Sequence, residues 1–138
     1  MSAISKQELI DDHYCFACGA DNPHGLDVHW TIEGDKTWTE FIPPKKFQGW
    51  KDIVHGGILA TLLDEAMTRL AWVARGGALT AEMTVRFIAP AKVGEKIFVV
   101  GEITEETRRT VHMRASLFKE RIGGPLIARS EGKAVKIR

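Results

Sequence analysis

The residues of this chain whose types and spacing could do chemistry lie in one run, His55-Gly56-Gly57-Ile58-Leu59-Ala60-Thr61-Leu62-Leu63-Asp64-Glu65. Two glycines open an otherwise apolar segment, and an acidic pair appears about two turns further on. Backbone N–H groups at a helix start carry partial positive charge and suit an oxygen that is gaining negative charge. A carboxylate on an apolar helix is costly unless it is paired or its ionisation is used. The run therefore supplies a polarising end and an acid or base on one element.

The two carboxylates differ in their local partners. Glu65 has Arg69 four residues on, the favourable orientation for a helical ion pair, and reads as structural. Asp64 has Ala60, Thr61, Met67 and Thr68 at its neighbouring helical positions and no local cation, so it is the candidate for chemistry. The plainer alternative for Asp64 is a bond to a partner across an interface. His55 reads as an orienter of the loop before the helix, and Gly57 as a donor to developing negative charge. Seven residues of helix place Gly57 and Asp64 about 10 Å apart, too far for one reacting carbon to meet both. If both act, Gly57 of one copy must work with Asp64 of another.

Cys15-Phe16-Ala17-Cys18 has His13 and His24 nearby, the composition of a Cys2His2 zinc site. The spacing is irregular and the stretch is rich in glycine and proline. No metal is therefore expected, nor a redox pair, since the C-x-x-C does not open a helix. The segment reads as a turn with buried small side chains.

The elements that must position these groups follow from periodicity. Residues 1 to about 12 look like a short helical lead-in, with Leu9 and Ile10 as its apolar spots. Residues 27–33 alternate and read as a strand, Gly34-Asp35 as a hairpin turn and 36–42 as its partner. Pro43-Pro44 ends the hairpin, and 47–54 form a loop into the glycines. A helix over 56–75 is marked by Ile58, Leu59, Leu62, Leu63, Ala66, Leu70 and Val73 at 3.6 spacing, and Gly76-Gly77 stops it. Four strand-like runs follow, 79–89, 96–105, 110–120 and 126–137, in the manner of an antiparallel meander. The tryptophans Trp30, Trp38, Trp50 and Trp72 read mostly as core, with Trp50 a possible wall of a pocket before the glycines. A helix apolar most of the way round needs cover on most sides. A curved sheet wrapped around it supplies that cover, which is the α+β arrangement of the hot-dog fold. Edge strands of such a sheet pair between copies, so a homodimer is expected.

The bulk numbers fit a single domain over 1–138, 44% hydrophobic and 27% charged. A formal charge of +1 gives no ground for a nucleic-acid or membrane partner. The N-terminus lacks the apolar stretch of a signal peptide, and two cysteines suit a reducing compartment, so a cytoplasmic location is expected.

Several motifs in order carry a family likeness: Gln48-Gly49-Trp50, Val54-His55-Gly56-Gly57, Leu63-Asp64-Glu65, and Phe87-Ile88-Ala89-Pro90-Ala91-Lys92-Val93-Gly94-Glu95. With Cys15-Phe16-Ala17-Cys18-Gly19, Asn22-Pro23 and Gly25-Leu26 ahead of them, the chain resembles the hot-dog acyl-CoA thioesterases of the phenylacetate-degradation and 4-hydroxybenzoyl-CoA type. The resemblance implies hydrolysis of an acyl- or aroyl-CoA to the free acid and coenzyme A. Asp64 would be base or nucleophile, and the Gly57 N–H would polarise the thioester carbonyl. Thr80 takes the position of a hydroxyl that helps hold water. Gly49 stands where many members carry Asn, leaving Gln48 as the polar group of that loop.

A coenzyme A thiolate leaves well at neutral pH, which suits a chain with no G-x-S-x-G nucleophile motif. Coenzyme A enters as part of the substrate, with no separate cofactor. Arg86, Lys92, Arg108 and Arg109 are candidates to contact its phosphates. The resemblance also points to a homodimer, or a tetramer of two dimers, with sites at the subunit interface. Competing readings are a hot-dog hydratase or dehydratase using His55 with Asp64, a non-catalytic acyl-CoA binder, and a zinc-binding scaffold.

Overall fold

The computed structural model describes residues 6–137. The expected lead-in helix is a single 3-10 turn, Lys6–Glu8; the first five residues of that stretch lie outside the described residues. The chain then forms β1 (Thr31–Glu33), β2 (Lys36–Phe41), a 3-10 turn at Lys45–Phe47, and α1 (Gly56–Arg75). Four long strands follow: β3 (Ala78–Phe87), β4 (Ile97–Glu106), β5 (Thr110–Lys119) and β6 (Leu126–Lys136).

All six strands make one antiparallel sheet in the order β1-β2-β4-β5-β6-β3, curved around α1. Two expectations need correction. Residues 27–30 do not join β1: the Val28 N–H donates instead to the Ala17 carbonyl at 2.9 Å, and the His29 carbonyl accepts from the Thr39 hydroxyl. The last four strands are not a simple meander. β3 leaves α1 for the far edge and pairs with β6, while β4 pairs with β2, so the helix crosses the concave face between them.

α1 starts and ends where its sequence signals place it. The His55 imidazole caps the first turn, and Gly76 adopts the left-handed conformation (φ 74°) that ends helices at low steric cost. Leu59, Leu62, Leu63, Ala66, Met67, Leu70 and Ala71 form its buried stripe. All but Leu70 share one cluster with Ile97, Val99, Val111, Leu117, Ile127 and Ala134 of the sheet.

Two glycines let the sheet close on this stripe. A Cβ on Gly101 would stand 3.1 Å from the Ala66 carbonyl, and one on Gly132 would stand 2.9 Å from the Met67 methyl. Truncating a wholly buried leucine such as Leu62 removes apolar contact and leaves a void, at a cost of about 2–5 kcal/mol.

The opposite face of α1 is only partly covered. Val73, expected in the core, is 54% exposed, because it lies on the helix face turned from the sheet toward the N-terminal segment. The tryptophan expectation holds only in part: Trp30 is half-buried against the core, Trp38 and Trp72 are half-buried, and Trp50 is 85% exposed on its loop. No helix among the described residues is long and apolar enough to cross a membrane.

Candidate active site

The sequence-predicted residues fall into two groups along α1. The first lies at its N-terminus, where Gln48, His55 and Gly57 line a shallow depression with Phe47, Ile58 and Thr61. The Gly57 N–H donates to Nδ1 of His55 at 2.8 Å. The helix start is thus capped by its own neighbour.

Gln48 is turned inward to its own loop. Its Oε1 accepts from Lys45 Nζ and from the Asp52 N–H, each at 3.1 Å. Its side-chain NH2 is what it can still offer to a ligand. Gly49 packs so near that a Cβ there would stand 3.3 Å from the His55 Cα, leaving little room for an asparagine without moving the histidine loop.

The second group lies two turns along the helix. Oδ1 of Asp64 is 2.9 Å from the Thr80 hydroxyl and 3.1 Å from the Thr68 hydroxyl, and the two hydroxyls are 2.6 Å apart. An ionised carboxylate leaves two protons for these three contacts. The distances favour Thr68 donating to Thr80 and Thr80 donating to Asp64.

Among the described residues no lysine or arginine pairs with Asp64, and Oδ2 accepts no hydrogen bond. The carboxylate is half-buried, oriented through one oxygen and open at the other. Thr68 has no role in the sequence expectation, although its position four residues after Asp64 puts it on the same helix face.

Glu65 departs from expectation. It makes no ion pair with Arg69; its carboxylate accepts instead from the Cys18 thiol. Burial pushes the Glu65 carboxyl above the usual carboxylate range, and the charge of Asp64 adds to the rise. The Cys18 hydrogen bond and the more distant Arg69 act the other way. Burial, then the Glu65 carboxylate, push the Cys18 thiol far above the usual thiol range. The Cys15–Cys18 stretch is therefore more than a turn over small residues, and Cys15 itself is exposed.

The four basic candidates are not brought together. Arg86 stands exposed on the outer face of β3, and Lys92 is exposed in the segment beyond it. Arg108 and Arg109 occupy the β4–β5 turn at the opposite end of the sheet, where the Arg109 carbonyl accepts from Lys136 N–H, next to the start of β3. Arg114 and Arg129, on neighbouring strands, line an open groove with Arg86, a grouping that strand register creates and sequence distance hides.

Comparison with known proteins agrees with this architecture. Residues 51–125, which include His55, Gly57, Asp64, Thr68 and Thr80 but not Gln48, match the thioesterase superfamily. Mouse acyl-coenzyme A thioesterase 13 is 30% identical over 72 residues. That match takes in 51% of this chain and spans about half (51%) of the mouse protein's length. Zebrafish thioesterase superfamily member 2 superposes with a TM-score of 0.75 at 21% identity, over 97% of this chain and 99% of that one. The E. coli PaaI protein from the phenylacetic acid degradation operon gives 0.72 at 17%, over 80% and 84%. These structural likenesses establish the wrapped-helix fold expected from the sequence. The sequence match extends over more than half of the residues, from the loop before α1 into the β5–β6 turn, and the chain belongs to the thioesterase superfamily.

Proposed function

We propose that this protein hydrolyses acyl-coenzyme A thioesters, with Asp64 as the catalytic carboxylate. The observation that carries the reading is the state of Asp64: half-buried, held through Oδ1 by threonine hydroxyls, and without a cation among the described residues. A structural carboxylate on an apolar helix is normally neutralised. This one is oriented, with its second oxygen available to a water or a carbonyl carbon. The kinship with a mouse acyl-coenzyme A thioesterase supports the substrate class.

In this reading the thioester oxygen displaces Nδ1 of His55 from the Gly57 N–H, and the helix start stabilises the charge that develops on it. Asp64 activates water or attacks directly, Thr80 and Thr68 hold it in place, and coenzyme A leaves as the thiolate. Gln48 lines the entrance beside Gly57. Arg86, Lys92, Arg108 and Arg109 are offered as phosphate contacts.

Gly57 and Asp64 stand about 10 Å apart along one helix, so the proposed site needs two copies. β3 pairs with β6 along one side, and its other side is an open edge of ten residues. Two such edges pairing antiparallel about Met83 and Thr84 set Phe87 of one copy beside Thr80 of the other. The Phe87 ring lies 3.5 Å from where a Gly56 Cβ would be, and Thr80 bonds Asp64. The same pairing thus draws the helix start of one copy toward the carboxylate of its partner. It also brings the Arg86 end of one sheet toward the Arg108 and Arg109 end of the other.

The test is thiol release from a panel of acyl- and aroyl-CoAs by the wild type and by Asp64→Asn. Turnover by the wild type that collapses in the variant supports the reading. Tight binding of the esters without hydrolysis by either protein contradicts it.

A further inference from the structure

We propose that Cys15, Cys18 and Glu65 form a zinc site that fastens the N-terminal loop to α1. This inference does not depend on the reaction proposed above. The two thiol sulfurs and a Glu65 carboxylate oxygen all lie within 4.8 Å of one another. Two sulfurs at about 2.3 Å and an oxygen at about 2.1 Å from a tetrahedral zinc sit roughly 3.5–3.8 Å apart. The gap to be closed is about 1 Å, within the reach of side-chain rotation.

The backbone is already set for it. The Gly19 N–H donates to the Cys15 carbonyl at 2.9 Å, and the Leu26 N–H to the Phe16 carbonyl at 2.8 Å. A Cβ on Gly19 would stand 2.3 Å from the Cys15 nitrogen, so the tight reversal requires glycine. The loop is held by its own amides, independently of the thiols, and it presents both sulfurs toward α1.

The donor chemistry selects the ion. Two thiolates and one carboxylate are a soft, anionic set that suits zinc over magnesium or calcium. Glu65 gains most from such an ion. It is a half-buried carboxylate whose hydrogen-bond donor is a thiol, a weak one, and Arg69 lies beyond ion-pair distance. His13 and His24 stand outside the group. The fourth position opens on a cleft of about 540 Å³ that Thr68 and Arg69 also line. The Thr68 hydroxyl touches both Thr80 and Asp64, so an ion here would brace the helix turn that orients the catalytic carboxylate.

The experiment uses the full chain, reduced, stripped with a chelator, and titrated with Co(II) or Zn(II) alone. We expect one Co(II) per chain, with thiolate-to-cobalt charge-transfer absorption, visible bands of tetrahedral intensity, and displacement by Zn(II). Zinc should raise the Tm of the wild type. Cys15→Ser and Cys18→Ser should lose the charge-transfer band and the Tm response. Glu65→Gln, which keeps both sulfurs but removes a charged ligand, should retain the band and bind at least about 10-fold more weakly, since losing even an outer-shell partner costs that much. Free thiols with no cobalt spectrum in the folded wild type would overturn the site. Binding indifferent to Glu65→Gln would overturn the three-ligand set.

Discussion

The middle and the C-terminal end of α1 handle charge in opposite ways. At the end, Arg75 pairs with Asp35 at 3.0 Å and with Glu106 at 3.0 Å, and Lys136 meets Glu106 at 2.9 Å. These charges tie the β1–β2 turn, the last helix turn and the ends of β4 and β6 together. In the middle, Asp64 and Glu65 face threonine hydroxyls and cysteine thiols. The contrast separates two uses of a carboxylate. Where the fold needs a fastening, it supplies cations; where it withholds them, the carboxylate is available for chemistry or for a metal.

The sharpest way to break the comparison is Asp64→Asn, which keeps shape and removes charge. It should lower kcat roughly 10²–10⁴-fold, as for loss of a catalytic base, with Tm little changed. Gly57→Pro deletes the proposed carbonyl donor in the first helix turn and turns the His55 imidazole, 2.8 Å from that nitrogen, aside; steady-state kinetics should show kcat reduced about 10²–10³-fold. Thr80→Val removes the hydroxyl that orients Asp64. A hydrogen bond to a charged group is worth about 1.5–3 kcal/mol, so kcat should fall roughly 10–100-fold with KM held.

The C-terminal network should behave in the opposite sense. Arg75→Gln should leave kcat intact and cost at most about 1 kcal/mol in a denaturant titration, because these pairs are partly exposed.

Glu106 gives the smallest effect, seen in pH dependence. Hydrogen bonds from Lys136 and then Arg75 hold its carboxyl below the usual range. Its stabilising contribution is therefore present above the ordinary glutamate value, about 4.3, and is lost as pH falls through the lower folded value. Glu106→Gln should slightly flatten the decline of Tm with acid without altering activity at neutral pH.

Much of this was legible in the sequence because it is local. The bounds of α1 follow from Gly56, Gly76 and the apolar period between them, and Asp64 stands out as a carboxylate without a helical cation. What was hidden depends on tertiary pairing. The move of β3 to the far edge is invisible to periodicity, which gives a strand's existence and not its neighbour.

Glu65 met the helix-pair rule with Arg69, yet its carboxylate turns to a thiol 47 positions earlier in the chain. Sequence proximity offers His13 and His24 as further members of the Cys15 and Cys18 group, whereas the fold brings Glu65 of the helix beside them. His55 was read as an orienter. Its acceptance of the Gly57 hydrogen bond is a rotamer-level fact that no spacing encodes.

The most direct test of the central claim mixes two inactive proteins. Asp64→Asn chains and Gly57→Pro chains are denatured together, refolded and assayed for thiol release. If the site joins Gly57 of one copy to Asp64 of its partner, half of the dimers are mixed and each holds one intact site. Activity should then return to about a quarter of wild type. If no activity returns although mixed dimers form, the two groups do not act across the interface, and the account of the site is wrong.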